Sequence, residues 1–160
     1  MPAAVFTSPL GRLFLQEEEG GIARIALLAP GEAAPFCEGG PTPLLAEACR
    51  QLDAYFAGKL CRFDLPLFAA GTPFQMRVWE ALRRIDYGTV KTYGDIAREV
   101  SSPLGFRAVG MACNRNPVII VVPCHRVIGA GGKLTGFACG VDVKYRLLAL
   151  EKSVLGQRPG

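Results

Sequence analysis

The sequence predicts an α/β N-terminal lobe, a small sheet plus a helix, followed by a mainly α C-terminal domain with a helix-turn-helix and the candidate active-site cysteine. Three observations lead there. Short apolar stretches separated by turn signals fill the first part of the chain, Thr-Pro helix starts recur at two places, and a β-branched run ends at a Cys-His pair. A chain of 160 residues suits one compact domain or a small lobe joined to a larger one. Half its residues are hydrophobic and 20% are charged, which excludes disorder, collagen and coiled coil. The expected boundary divides residues 1–70, a scaffold, from residues 71–160, which carry the chemistry.

In the first lobe, apolar stretches at 5–6, 13–15 and 22–28 are separated by Ser-Pro-Leu-Gly and Glu-Gly-Gly, so three short strands are expected. A Pro/Gly-rich loop covers residues 30–41. Thr42 then serves as N-cap with Pro43 at the first helical position, and Leu45, Ala48, Leu52, Tyr55 and Phe56 recur at helical spacing up to Gly58. In the second part, Thr72-Pro73 repeats the cap. Phe74, Val78, Leu82 and Ile85 mark one face with Trp79 beside it, and Gly88 is the expected stop. Thr92 caps a short helix through Asp95, Ile96, Ala97 and Val100. The breaker Ser101-Ser102-Pro103-Leu104-Gly105 precedes a second short helix, from about Phe106 to Cys113.

Helix, tight break, helix within about 20 residues reads as a helix-turn-helix, a pattern that structural helix pairs also share. The second helix places Ala108 and Ala112 on one face and Gly110 in its interior, where glycine costs about 1 kcal/mol relative to alanine. Two explanations stand: a tight helix–helix contact, or a small-residue face that enters a groove as narrow as the ~6 Å minor groove of B-DNA, with Arg107 reaching furthest. Charge points to the same half. Residues 1–70 carry a net −3 and residues 71–160 a net +7, an asymmetry that suits a polyanionic partner without proving one.

Pro117 ends the second helix, and residues 118–122, Val-Ile-Ile-Val-Val, read as a continuous buried strand that stops at Pro123-Cys124-His125-Arg126. The chain has one histidine and six cysteines with no Cys-x-x-Cys pair, so zinc sites of the finger or ribbon type are not expected. An imidazole neighbour and a basic surround raise the thiolate fraction of a cysteine, provided a non-strand turn at Pro123 brings Cys124 and His125 onto one side. Glu151, expected at the end of a helix over 141–150 with Val141, Tyr145 and Leu148 as its apolar face, is the candidate orienter of the imidazole. Its unfavourable position at a helix C-terminus calls for a partner, although Lys152 next door also compensates. Cys-His-Glu is an arrangement that activates a nucleophile.

The segments 89–97 (Thr-Val-Lys-Thr-Tyr-Gly-Asp-Ile-Ala), Arg107-Ala108-Val109-Gly110, Asn116-Pro117 and Pro123-Cys124-His125-Arg126-Val127-Ile128-Gly129 resemble the O6-alkylguanine-DNA alkyltransferase family, also called methylated-DNA–protein-cysteine methyltransferases. The strong match runs from about Thr72 to Glu151. The resemblance implies binding of double-stranded DNA containing O6-alkylguanine through the helix-turn-helix in the minor groove, extrusion of the damaged base, and single-turnover transfer of the alkyl group to Cys124. It implies that Cys124 is the nucleophile, His125 its base through a water, Glu151 the orienter of His125 and Asn116 the support of the active-site turn. It makes Tyr93 the residue that crowds the target phosphate and bonds the flipped base, and Arg107 the finger that fills the gap. Ala108, Gly110, Ala112 and Arg126 would face DNA, and Val127, Phe137, Ala138 and Lys144 would line the substrate pocket. Phe137 stands where relatives often have Tyr, and Cys139 where Gly is common.

No cofactor and no metal are expected, because some relatives bind zinc in the N-terminal lobe through histidines that this chain lacks. No apolar run reaches the roughly 20 residues of a bilayer span, and residues 1–7 carry no secretory pattern, so a cytoplasmic monomer is expected. The competing readings are a non-catalytic alkylated-DNA-binding protein, a Cys-His hydrolase and a transcriptional regulator. The first replaces the nucleophile that Cys124 supplies, and the second leaves Arg107 and the helix pair unexplained.

Overall fold

The computed structural model describes residues 1–35, 41–101, 105–134 and 139–156. These fall into two compact units, Met1–Ala70 with Pro117–Ile119, and Gly71–Asn116 with Ile120–Gly160. In the first, β1 (Ala3–Ser8), β2 (Gly11–Glu18) and β3 (Gly21–Leu27) form an antiparallel meander in that order, with an irregularity at Gln16/Glu17. Helix α1 (Pro43–Phe56) packs on the sheet and buries Leu45, Ala48, Leu52 and Tyr55 in a core shared with Leu13, Leu15, Ile22 and Ile25. Thr42 Oγ1 accepts the Leu45 N–H at 3.1 Å, as the Thr-Pro start requires. Gly58 follows the helix at φ +75°, the left-handed residue a C-terminal cap needs.

Residues 118–122 depart from the expected continuous strand. Ile25 and Ile119 donate to the Pro117 and Ile25 carbonyls, at 2.9 and 3.2 Å, so only the start of the run lies beside β3. Ile120 then turns the chain with φ +73°. That conformation costs a β-branched residue about 1–3 kcal/mol, and surrounding packing must hold it; Ile120 and Val122 are almost wholly buried. The run is apolar because both halves are buried, not because it is one strand.

The second unit begins with α2 (Pro73–Arg83), opened by a reciprocal capping box between Thr72 and Gln75. The helix stops at Arg83 rather than at Gly88, since Arg84 already closes it, and Gly88 lies in the following turn at φ +78°. Strand β4 (Lys91–Thr92) leads into α3 (Tyr93–Glu99), capped by Thr92 and Asp95, and α4 (Gly105–Asn114) packs on both α2 and α3. The buried Trp79 indole pins α4 by donating to the Ala112 carbonyl at 2.9 Å. After α4, a 3₁₀ turn (Cys124–Arg126) feeds β5 (Val127–Ile128), which pairs parallel to β4.

Helix α5 (Val141–Gly156) is longer than the expected 141–150, so Glu151 sits inside it and does not oppose its C-terminus. Its buried face is Lys144, Leu147, Glu151 and Val154, while Val141 and Tyr145 are 46% and 62% exposed. Two charged residues on the inner face invert the apolar pattern from which the face was expected. Among the described residues, no helix is long and apolar enough to cross a membrane.

Candidate active site and DNA-facing helix

The 3₁₀ turn after Pro123 supplies the non-strand geometry that two neighbouring side chains need to share a site. Cys124, His125 and Arg126 are all buried in it. Asn116, just past α4, donates through Nδ2 to the Val122 carbonyl at 2.8 Å and to Cys124 Sγ at 3.3 Å, so one amide fixes both the turn and the sulfur. His125 Nε2 meets Glu151 Oε2 at 2.7 Å across two fully buried side chains. The structure therefore brings together Cys124, His125, Glu151 and Asn116.

The Glu151 carboxylate takes more than the imidazole. Arg126 Nε donates to Oε1 at 2.9 Å and Nη2 to Oε2 at 3.0 Å, while the Gly88 N–H donates to Oε1 at 3.0 Å. Burial alone would raise this carboxyl. The His125 and Arg126 hydrogen bonds outweigh it and hold Glu151 well below the usual carboxylate range. Arg126 continues to the Ile85 carbonyl at 2.8 Å and stacks over Tyr87, 5.5 Å from the ring centroid. This corrects the expectation that Arg126 faces DNA: its guanidinium is consumed inside the unit.

Gly88 was invisible as a site residue, because nothing in the spacing connects it with a glutamate 63 positions later. Its positive φ, and the side chain of Leu155, which would lie 2.0 Å from an added Cβ, explain why glycine stands there.

Burial lowers the His125 pKa, and the ring is neutral at neutral pH despite its carboxylate partner. With Nε2–H donated to Glu151, Nδ1 is the acceptor, and it has no hydrogen-bond partner among the described residues. Cys124 contradicts the expectation of an enriched thiolate: burial pushes its thiol up to about 11, and the Asn116 hydrogen bond and the Lys144 charge offset only part of that. The resting sulfur holds its proton, and the imidazole of the next residue has one lone pair uncommitted.

Lys144 is fully buried in α5. Its Nζ donates to Tyr93 Oη at 3.4 Å and lies 5.5 Å from that ring's centroid, which joins the helix-turn-helix entrance to the site. Val127, expected in the substrate pocket, is buried in β5 directly after the 3₁₀ turn and pairs with Lys91. Phe137 and Ala138 lie outside the described residues.

On α4, Arg107 is exposed, and Ala108 and Gly110 are partly so. Ala112 is not available to DNA: it is 2% exposed, with Trp79 bonded to its carbonyl. Among the described residues, a Cβ added to Gly110 would meet only Tyr93 carbons, at 3.9 Å or more, which is ordinary contact, so no tight helix–helix approach among them explains this glycine.

Because the chain has a single histidine, the His125 linkage is separable. Its folded pKa lies below the ordinary 6.5, so as pH falls through 6.5 the unfolded chain takes up a proton that the native ring refuses. Urea unfolding of the protein should lose up to about 1.4 kcal/mol per pH unit below that point. In His125→Gln this loss should vanish until carboxylates titrate.

The model of the 6-O-methylguanine DNA methyltransferase DNA binding domain matches residues 73–153, and that of the ribonuclease-like domain of the same proteins matches residues 1–69. A methylated-DNA–protein-cysteine methyltransferase of Methanosarcina acetivorans is 48% identical over 152 residues, covering 94% of this chain and 97% of the relative. One from Mycobacterium leprae is 46% identical over 149 residues, covering 91% and 88%. The crystal structure of Mycobacterium tuberculosis OGT in complex with DNA superposes with a TM-score of 0.86 at 44% identity, covering 96% of this chain and 94% of that one. With both domain models matched in order and relatives aligned over nearly their whole length, this chain belongs to the 6-O-methylguanine DNA methyltransferase family.

Proposed function

We propose that Cys124 is the acceptor in a direct, single-turnover repair of O6-alkylguanine, reached by extruding the damaged nucleotide from duplex DNA. The observation that carries this reading is the buried Glu151–His125 pair, which leaves Nδ1 as an uncommitted acceptor next in sequence to a protonated thiol. His125 takes the Cys124 proton through a bridging water. Sγ attacks the alkyl carbon in line, the carbon–oxygen bond breaks, and guanine leaves as its O6 anion. Tyr93, whose oxygen accepts from Lys144, turns its own O–H toward the purine and neutralises the leaving charge. Glu151 stabilises the imidazolium that forms. The product is a thioether. It has no carbonyl for water to attack and no good leaving group, so the sulfur is consumed. The step uses only the chain's own residues.

Flipping costs a few kcal/mol, least where pairing is already weakened, and O6-alkylation weakens guanine's pairing. Arg107, exposed on α4, fills the vacated space in the stack. Gly110 keeps the helix thin where it enters the minor groove, a reading favoured by the room found around it.

Intact mass spectrometry after mixing with a duplex containing O6-methylguanine should find one methylene mass added per molecule, on the Cys124 peptide, and none with Cys124→Ser. Demethylation of a molar excess of DNA would contradict the proposal. Gly110→Ala should leave stability unchanged or raise it by up to about 1 kcal/mol in urea unfolding. It should nevertheless slow repair in duplex roughly tenfold, the equivalent of about 1.4 kcal/mol, while reaction with a free O6-alkylguanine base is unaffected. Equal slowing of both reactions would place Gly110 in the fold rather than at the groove.

A further inference from the structure

Helix α4 has two flanks, and only one of them belongs to the site described above. Each residue advances a helix by about 100°, so Gly110 and the stripe of Ala108, Met111 and Arg115, spaced i, i+3 and i+7, look to different sides. Gly110 looks toward Tyr93, whose oxygen is bonded by Lys144 of α5, the helix that supplies Glu151. The other flank opens on a cleft of about 180 Å³ between α4 and the first turn of α2, and Phe74, Ala108, Met111 and Arg115 all line it. The cleft lies wholly within the second unit.

Phe74, Ala108 and Met111 give the cleft apolar walls, and Met111 is 62% exposed, so the core does not hold it there. The charge around it is positive. Arg115 is exposed, and among the described residues its guanidinium has no ion pair or hydrogen bond. The Arg77 guanidinium lies over the Phe74 ring, 5.7 Å from its centroid. No acidic side chain lines the cleft, α2 has none in its first turn, and α4 carries none. Such a surface suits an anion joined to an apolar body. A sugar–phosphate chain has that composition, with the C–H faces of deoxyribose between its phosphates.

An α-helix is about 10–12 Å across with its side chains, whereas the minor groove is about 6 Å wide. A helix that enters the groove therefore touches both walls, and each wall is the backbone of a different strand. The flank toward Tyr93 takes the strand that gives up its nucleotide, and the opposite flank meets the intact one. We propose that the α2–α4 cleft is a second DNA subsite, which holds the sugar–phosphate backbone of the strand opposite the lesion. Arg115 pairs with a phosphate, and Phe74 and Met111 pack against the neighbouring deoxyribose. This assignment rests on α4 being the helix that enters the minor groove. Extrusion pulls on one strand only. An anchor on the other keeps the duplex from following the extruded nucleotide, so that a gap remains for Arg107 to fill.

The full chain carrying Cys124→Ser, which binds without being consumed, is titrated with a duplex containing O6-methylguanine over a range of KCl concentrations. Adding Arg115→Ala should make log Kd depend less steeply on log salt, by about 0.9, the share of one phosphate contact. Arg115→Lys, which keeps the charge, should restore most of that slope. Neutral methylphosphonates placed singly in either strand then identify the partner. At one position opposite the lesion the substitution should weaken binding when Arg115 is present and add nothing in Arg115→Ala. In the lesion strand it should weaken both proteins alike. An unchanged salt slope in Arg115→Ala, or a dependence on Arg115 that appears with the lesion strand instead, would overturn the proposal. If the chain binds the duplex and Arg115→Ala changes nothing, this inference alone fails. A chain with no measurable affinity for the duplex removes the reading of α4 and this subsite with it.

Discussion

The second unit is organised around one buried carboxylate. Glu151 receives hydrogen bonds from a backbone amide of the turn after α2, from Nε and Nη2 along one edge of the Arg126 guanidinium and from the His125 ring. Ionised groups of this kind are costly to remove from water, and an uncompensated partner left behind typically costs 3–5 kcal/mol. The arrangement holds because nearly every lone pair is used, and because Arg126 discharges its remaining capacity on the Ile85 carbonyl and the Tyr87 ring. Three separate stretches of chain are thereby tied at one point, and the 3₁₀ turn bearing Cys124 is held by this carboxylate as well as by Asn116.

Chemistry follows from that tie. A carboxylate kept ionised inside the protein dictates which imidazole nitrogen carries the hydrogen, and so which one is left to take a proton. The thiol beside it is suppressed by burial rather than activated at rest. A thiol that keeps its proton is a weak nucleophile, which suits an acceptor that can be spent once. The Tyr93–Lys144 contact extends this logic to the helix-turn-helix, because the residue opening α3 is held by the same helix that supplies Glu151.

Much of this was legible in the residues. Thr42-Pro43, Thr72-Pro73 and Thr92 mark helix starts through local hydrogen bonding that needs no tertiary context, and all three caps form. Pro123 before Cys124-His125 signals a break in extended structure, and the 3₁₀ turn is that break. Local patterns failed where tertiary pairing decides. Arg126 is charged, and charge ordinarily means surface, yet a buried carboxylate draws it inward. Lys144 and Glu151 occupy the buried face of α5, so the apolar positions that suggested a core face, Val141 and Tyr145, point to solvent. The 118–122 run is uniformly β-branched, and composition alone gives no sign that Ile120 turns it. Gly88 reads as a helix stop because its true partner is remote in sequence.

Glu151 holds His125 neutral, with its hydrogen on Nε2 and its lone pair on Nδ1. Long-range ¹H–¹⁵N NMR of the imidazole tests it directly, since a chain with one histidine gives one unambiguous set of ring signals. One protonated ring nitrogen, Nε2, and one pyridine-like nitrogen, Nδ1, should be seen, unchanged from neutral pH down past 6.5. A ring protonated on Nδ1, or a doubly protonated imidazolium at neutral pH, would contradict it.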